Sequence, residues 1–267
     1  MFLLYHYFNA KEVYNAIRLF IAAYVWMTGY GHFYYYFSVP NCDYGIVRIL
    51  KMLFRLNFLV IFIIMTMRNE YMLYYICALH TLVFLLVYLG MAFLRSHNNN
   101  GWFIKAKLLG LFGVAYMLWD YGDGIVFKTI WQPLIWMVGL DGSLHEFYFR
   151  THLDHYIWIW GMIFAYFYPS IERFILHLER RRGFYEHVAW KMGMSAIALG
   201  VGYYWFFEWF YTSDKFAYNA VHPYTSFIPI FLWIFFRNIA ARFAFFFFFF
   251  LNFFGFFVFF SFFLFIF

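Results

Sequence analysis

Apolar stretches alternate with short polar runs along the whole chain, and most approach the ~20 residues that a helix needs to cross a bilayer. They predict spans at residues 14–37, 46–67, 71–94, 103–119, 148–168, 188–211, 224–240 and 243–267. Residues 2–8, FLLYHYF, read as the end of one more span that begins before the chain does. The short alternating strands of a membrane β-barrel are not visible. The pattern therefore predicts an all-α, polytopic transmembrane helical bundle of about eight spans plus the remnant of another. Proline marks predicted edges: Pro40 and Pro169 follow spans, and Pro223 precedes one. Pro229 lies inside its predicted span and is expected to kink it. The polar run RSHNNNG, residues 95–101, reads as a loop.

Composition supports this picture. The 267 residues are 66% hydrophobic, 30% aromatic and 12% charged, against about 25% charged in a soluble domain. A soluble domain of ordinary size has no room here. The net charge of +6 comes from basic residues clustered between spans, so the expected partner is a lipid bilayer and not nucleic acid. Cys42 and Cys77 are too few for a disulfide framework. The opening MFLLYHYFNA has neither the basic start nor the cleavage site of a removable signal peptide.

Loop charge sets the expected orientation. One set of alternate connections carries twelve Lys and Arg residues, with Arg180, Arg181 and Arg182 among them, and the other carries four. The richer set is expected in the cytosol, including the loop 172–187, which leaves 120–146 lumenal. Residues 1–240 form the expected membrane domain. Residues 241–267 are almost pure phenylalanine, and such uniform side chains specify no unique packing. A degenerate helix and a translated frameshift or intron are the two readings of that tail, the second preferred.

Candidate chemistry gathers in HEFYFRTHLDHY, residues 145–156. Glu146, Arg150 and Asp154 follow i, i+4, i+8 spacing, which on a continuous helix lets Arg150 pair with a carboxylate above and below. At about 100° per residue His155 falls on the opposite face. A charged stripe must avoid lipid. It is either a functional site or an ion-pair ladder that docks the helix. A second group holds His6, Tyr14 and Arg18, with Gly29 and Gly31 allowing close helix approach. Histidine suits acid–base work near neutrality, yet on spacing alone the preferred reading is His6 at an interface with Arg18 snorkelling. His222 in HPYTS is either a substrate contact or loop chemistry. DGSLH, residues 141–145, lacks the geometry of a triad. ERRRG, residues 179–183, is a topology signal before it is a phosphate site. No nucleophile elbow, phosphate loop or metal-ligand spacing is found, so no metal is expected.

Five ordered segments carry a resemblance: EVYNAIRLFIAAYVWMTGYGHFYYYF, FRLNFLVIF, NEYMLYYICALHTLVF, HEFYFRTHLDHYIWIWGMIFAYFYP and HPYTSFIPI. Together they resemble the multi-span acyltransferase domain shared by plant reduced-wall-acetylation proteins, the fungal capsule O-acetylation protein and animal sialate O-acetyltransferase. The resemblance covers about residues 2–240. It implies a multi-pass Golgi membrane enzyme that moves acetyl from acetyl-coenzyme A to hydroxyls of a glycan or polysaccharide. It also implies a separate lumenal acetyltransferase as a partner in some relatives. His6 in LLYHYF inherits the role of the histidine that handles the acetyl group. Arg150 is expected to steady developing charge, with Asp154 or Glu146 orienting the reacting groups, and Arg18 and His222 to contact substrate.

The sequence also departs from the family pattern. The Glu-Trp-Lys-Gly-Trp run expected before the histidine is absent, and His155 stands where Leu-Asp-Arg-Tyr has arginine. The poly-Phe tail replaces a Gly-Lys-x-Thr/Ser-Leu-Glu motif. The chain thus looks like a fragment truncated at both ends. The competing expectations are a transporter of solute or acetyl donor without chemistry, and an inactive fragment.

Overall fold

The computed structural model describes residues 8, 13–39, 42–68, 71–138, 143–181, 184–211 and 214–239. Among them no strand occurs, as expected for an all-α membrane bundle. His6 and the poly-Phe tail lie outside the described residues.

The helices are α1 (Tyr14–Ser38), α2 (Ile46–Met67), α3 (Tyr75–Ala92), α4 (Gly101–Ala115), α5 (Ile125–Val138), α6 (Ser143–His152), α7 (Ile157–Arg181), α8 (Phe184–Trp205), α9 (Lys215–Thr225) and α10 (Phe227–Ile239). Three described segments are long and apolar enough to cross a membrane: Ile46–Met67, Tyr75–Ala92 and the α4–α5 run Gly101–Pro133. Helix α2 buries only Val60, so its Leu, Ile and Phe side chains form an apolar surface suited to lipid.

Local chemistry sets the helix ends. The α1 helix stops at Val39, whose extended backbone is what a residue before proline prefers. The side chains of Asn100 and Asp214 cap α4 and α9, accepting from the backbone N–H of Trp102 at 3.0 Å and of Phe216 at 2.9 Å.

Several expectations need correction. The span read at 103–119 does not give way to a long connection. It runs through a π-helical turn, Tyr116–Asp120, and a tight turn, Tyr121–Gly124, into α5. Lys128 and Pro133 interrupt the apolar run IVFKTIWQPLIWMV and hide that helix from a span search. Pro169 and Pro223 lie within α7 and α9 and not at span edges. Pro229 is the third residue of α10, where a missing N–H removes no intrahelical bond, so it gives no reason for a kink. Most of the loop read at 172–187 is helix, because α7 continues to Arg181 and α8 begins at Phe184.

The chain forms two compact units. One comprises Met1–Ile175 and Thr212–Phe227, the other Leu176–Tyr211 and Ile228–Phe267. In the second, a Cβ on Gly202 of α8 would meet Leu232 of α10 at 3.2 Å. In the first, α1 and α7 touch backbone to backbone. A Cβ on Gly29 would fall 2.1 Å from the Trp158 carbonyl oxygen, and one on Gly161 would fall 2.3 Å from that of Trp26. Small residues on both sides permit this crossing. Gly31, the other glycine expected to allow close approach, faces open space. The crossing brings the start of α7, and the turn before it, against α1.

Candidate functional site

The turn before α7 is Leu153–Tyr156, and it breaks the helical stripe expected over residues 146–154. Thr151 begins the break. Its hydroxyl donates back to the carbonyl of Phe147 at 2.9 Å, a bond that bends helices, and accepts from the Trp119 indole N–H at 3.0 Å. The Asp154 N–H donates to the Thr151 carbonyl at 3.2 Å. The His155 ring donates through Nδ1 to the carbonyl of His152, the last residue of α6. Asp154 and His155 therefore leave the turn toward different partners.

Asp154 enters a buried polar group built from α1 and α9. Its exposure is 1%, as is that of His222, and Arg18 is 2% exposed. His222 Nε2 lies 3.3 Å from Asp154 Oδ1, and His222 Nδ1 lies 3.0 Å from the Tyr218 hydroxyl. One tautomer satisfies both contacts, with Nε2–H donating to the carboxylate and Nδ1 accepting from the tyrosine. On α1, Arg18 Nε donates to the Tyr14 hydroxyl at 3.1 Å, and that hydroxyl donates to Asn219 Oδ1 at 3.0 Å. Arg18 and Asp154 attract one another electrostatically, yet no ion-pair contact joins them among the described residues. Arg18 Nη1, Arg18 Nη2 and Asp154 Oδ2 are buried without a hydrogen-bond partner among those residues. Among the described residues two donor nitrogens and one acceptor oxygen are thus left over.

The rest of the expected stripe lies elsewhere. Arg150 pairs through Nε with Glu146 at 3.5 Å, and these side chains are 33% and 57% exposed. The Arg150 guanidinium also stands over the Tyr75 ring, 4.6 Å from its centroid. Among the described residues no hydrogen bond or ion pair joins Arg150 to Asp154. The ladder with a carboxylate on either side of Arg150 is not formed, because the helix ends at His152 before the next turn can bring Asp154 into line.

His155 turns to a second carboxylate that sequence reasoning did not single out. Asp120, at the end of the π-helical turn, lies 3.2 Å from both His155 Nε2 and His152 Nε2 through its two oxygens. The Tyr156 hydroxyl donates to Asp120 Oδ2 at 2.5 Å. Trp119 stacks on His155, with ring centroids 5.7 Å apart. The signals in the sequence were the His-x-x-His pair at 152 and 155 and a lone aspartate at the end of an apolar run.

Comparison with known proteins agrees with the helical architecture. A family described as the 10 TM acyl transferase domain found in Cas1p matches residues 1–267. The N-acetylneuraminate (7)9-O-acetyltransferase of Danio rerio is 32% identical to the chain over 89% of its length. The chain spans 31% of that relative. No solved structure matches. Whole-chain agreement with the family model, carried by an all-α membrane fold, shows that this chain belongs to the family of the 10 TM acyl transferase domain found in Cas1p.

Proposed function

We propose that the chain is the membrane part of an O-acetyltransferase that moves acetyl from acetyl-coenzyme A to hydroxyls of a glycan in the Golgi lumen, with Arg18, Asp154 and His222 as its buried site. The observation that carries this reading is that, among the described residues, two buried Arg18 nitrogens and one buried Asp154 oxygen have no hydrogen-bond partner. Acyl transfer passes through a tetrahedral intermediate whose former carbonyl oxygen bears negative charge. A buried guanidinium with two spare donor nitrogens suits that oxygen, because preorganised donors act strongly away from water. Arg18 takes this role in place of Arg150, whose exposed pairing with Glu146 suits a structural ladder better.

Asp154 Oδ2 is placed to accept a hydrogen bond from a reacting group and orient it. His222 acts through Asp154. Both its ring nitrogens are engaged, so it positions the carboxylate and does not contact substrate. The family resemblance supports His6 as the group that receives the acetyl. The thioester carbon–sulfur bond would break with release of the coenzyme A thiol, and the acetyl would pass to the acceptor oxygen as its proton leaves. The excess of Lys and Arg in one set of connections supports a cytosolic donor and a lumenal acceptor.

The test is acetyl transfer by full-length protein in sealed proteoliposomes, with labelled acetyl-coenzyme A outside and a sialylated or neutral glycan inside. Labelled glycan that disappears in Arg18→Lys and in His6→Asn, at unchanged membrane insertion, supports the reading. Entry of label with no acylated glycan would instead favour a transporter.

A further inference from the structure

We propose that Asp120, His152 and His155 form a binding site for a zinc-like divalent cation, which ties the π-helical turn after α4 to the turn that carries Asp154. The three side chains bring one ligand atom each within 4.8 Å of one another. Their chemistry is what borderline metals favour: two imidazoles and one carboxylate, three protein ligands with a fourth position open. A hard ion such as calcium would require six or more oxygens.

Hydrogen-bond accounting at His155 supports a cation here. Nδ1 lies against the His152 carbonyl, which can only accept, so Nδ1 carries the proton. A neutral imidazole has one N–H, so Nε2 presents a lone pair. That lone pair points at Asp120 Oδ2, another acceptor, 3.2 Å away. Two acceptors face each other in a position where His155 is fully buried. Something positive between them resolves the conflict. His152 Nε2 stands at the same 3.2 Å from the other oxygen of the same carboxylate. With Asp120 Oδ2 as the ligand oxygen, its spacing to His155 Nε2 approaches the ~3.4 Å edge of a tetrahedron with metal–ligand bonds of about 2.0–2.1 Å.

The outer groups match as well. Ligating histidines usually donate their second ring N–H to a carbonyl or carboxylate, and ligating carboxylates accept a further hydrogen bond. His155 does the first through the His152 carbonyl, and Asp120 does the second through the Tyr156 hydroxyl. Access is available, since the His152 side chain is 32% exposed and that of Asp120 12%. The bound ion would cross-link segments more than thirty residues apart in sequence and so hold the Leu153–Tyr156 turn in shape.

The experiment reads metal directly and is independent of any acetyl transfer. Full-length protein in detergent is stripped with chelator, titrated with Zn2+ alone and, separately, with Co2+ as a spectroscopic probe. The site predicts stoichiometric zinc by elemental analysis, visible d–d bands with Co2+, and a rise in thermal stability on zinc addition. His155→Gln and His152→Gln should each weaken zinc binding at least ~100-fold and abolish the Co2+ bands. Tyr156→Phe, which keeps every ligand, should weaken it by about 10–100-fold. Should His155→Gln fail to fold, His152→Gln and Tyr156→Phe, at less buried positions, still decide the matter. Zinc content and Co2+ spectra unchanged in these variants would overturn the proposal, as would no zinc uptake by the wild type. In the latter case the cation between Asp120 and His155 is a proton alone.

Discussion

One four-residue turn serves two carboxylate–histidine groups, and they differ in what is left over. On one side Asp154 meets His222, with Arg18 nearby, and two guanidinium nitrogens and one carboxylate oxygen find no partner among the described residues. On the other, both oxygens of Asp120 are engaged by His152, His155 and Tyr156. The first group has capacity to bind something that comes and goes, which is what transfer chemistry requires. The second ties chain segments together, and its one mismatch, His155 Nε2 against Asp120 Oδ2, calls for a cation and not for a reactant. Proximity of acid to base is therefore not the mark of a reactive site here. Unspent hydrogen-bonding capacity in a buried place distinguishes them, because burying it has a cost that a bound reactant can offset.

The comparison breaks most completely if the support beneath both groups is removed. Gly161→Val places side-chain atoms against the Trp26 backbone, and the α1–α7 crossing cannot form. We expect loss of folded protein, read as aggregation in size-exclusion chromatography. A normally folded variant would mean that the crossing does not define the turn. A smaller, selective effect is expected from Asp154→Asn. The amide keeps the shape but not the charge opposite Arg18, and transfer should fall by at least ~100-fold. Thermal stability should also drop, since a buried cation then lacks compensation. His222→Gln removes one hydrogen bond to a charged group, worth about 1.5–3 kcal/mol. Its transfer rate should fall by about 10–100-fold with the Michaelis constant for the acceptor unchanged, because His222 acts through Asp154. A raised Michaelis constant with unchanged turnover would instead make it a substrate contact. The smallest effect belongs to Arg150→Lys. Half-exposed pairs such as Arg150–Glu146 contribute about 0–1 kcal/mol, so transfer should stay within about twofold of wild type.

Much of the fold is legible in the sequence because lipid imposes it. A chain that must satisfy every backbone group internally shows its helices as long apolar runs, and α1, α2, α3, α4 and α8 fall close to where those runs lie. Helix α5 is hidden because Lys128 and Pro133 break its apolar run, although both are compatible with helix in context. The site is legible in part. Arg18, Asp154 and His222 are each suggested by a charge or imidazole at the edge of an apolar segment, but their association is not. It depends on α9 packing on α1, across about two hundred residues of chain. Asp154 is found with the wrong companion, because helical periodicity was extended through a turn that Thr151 and His155 enforce. Asp120 has no local signal beyond its isolation.

The most direct measurement compares Arg18→Lys with Arg150→Lys for transfer of labelled acetyl from acetyl-coenzyme A to glycan in proteoliposomes, at matched insertion. Each variant keeps its positive charge and loses only the guanidinium fork. If the buried arginine steadies the acyl oxygen, Arg18→Lys should lose about 10²–10³ in turnover, while Arg150→Lys stays near wild type. A normal rate in Arg18→Lys together with an inactive Arg150→Lys would contradict the account and return the chemistry to the α6 stripe.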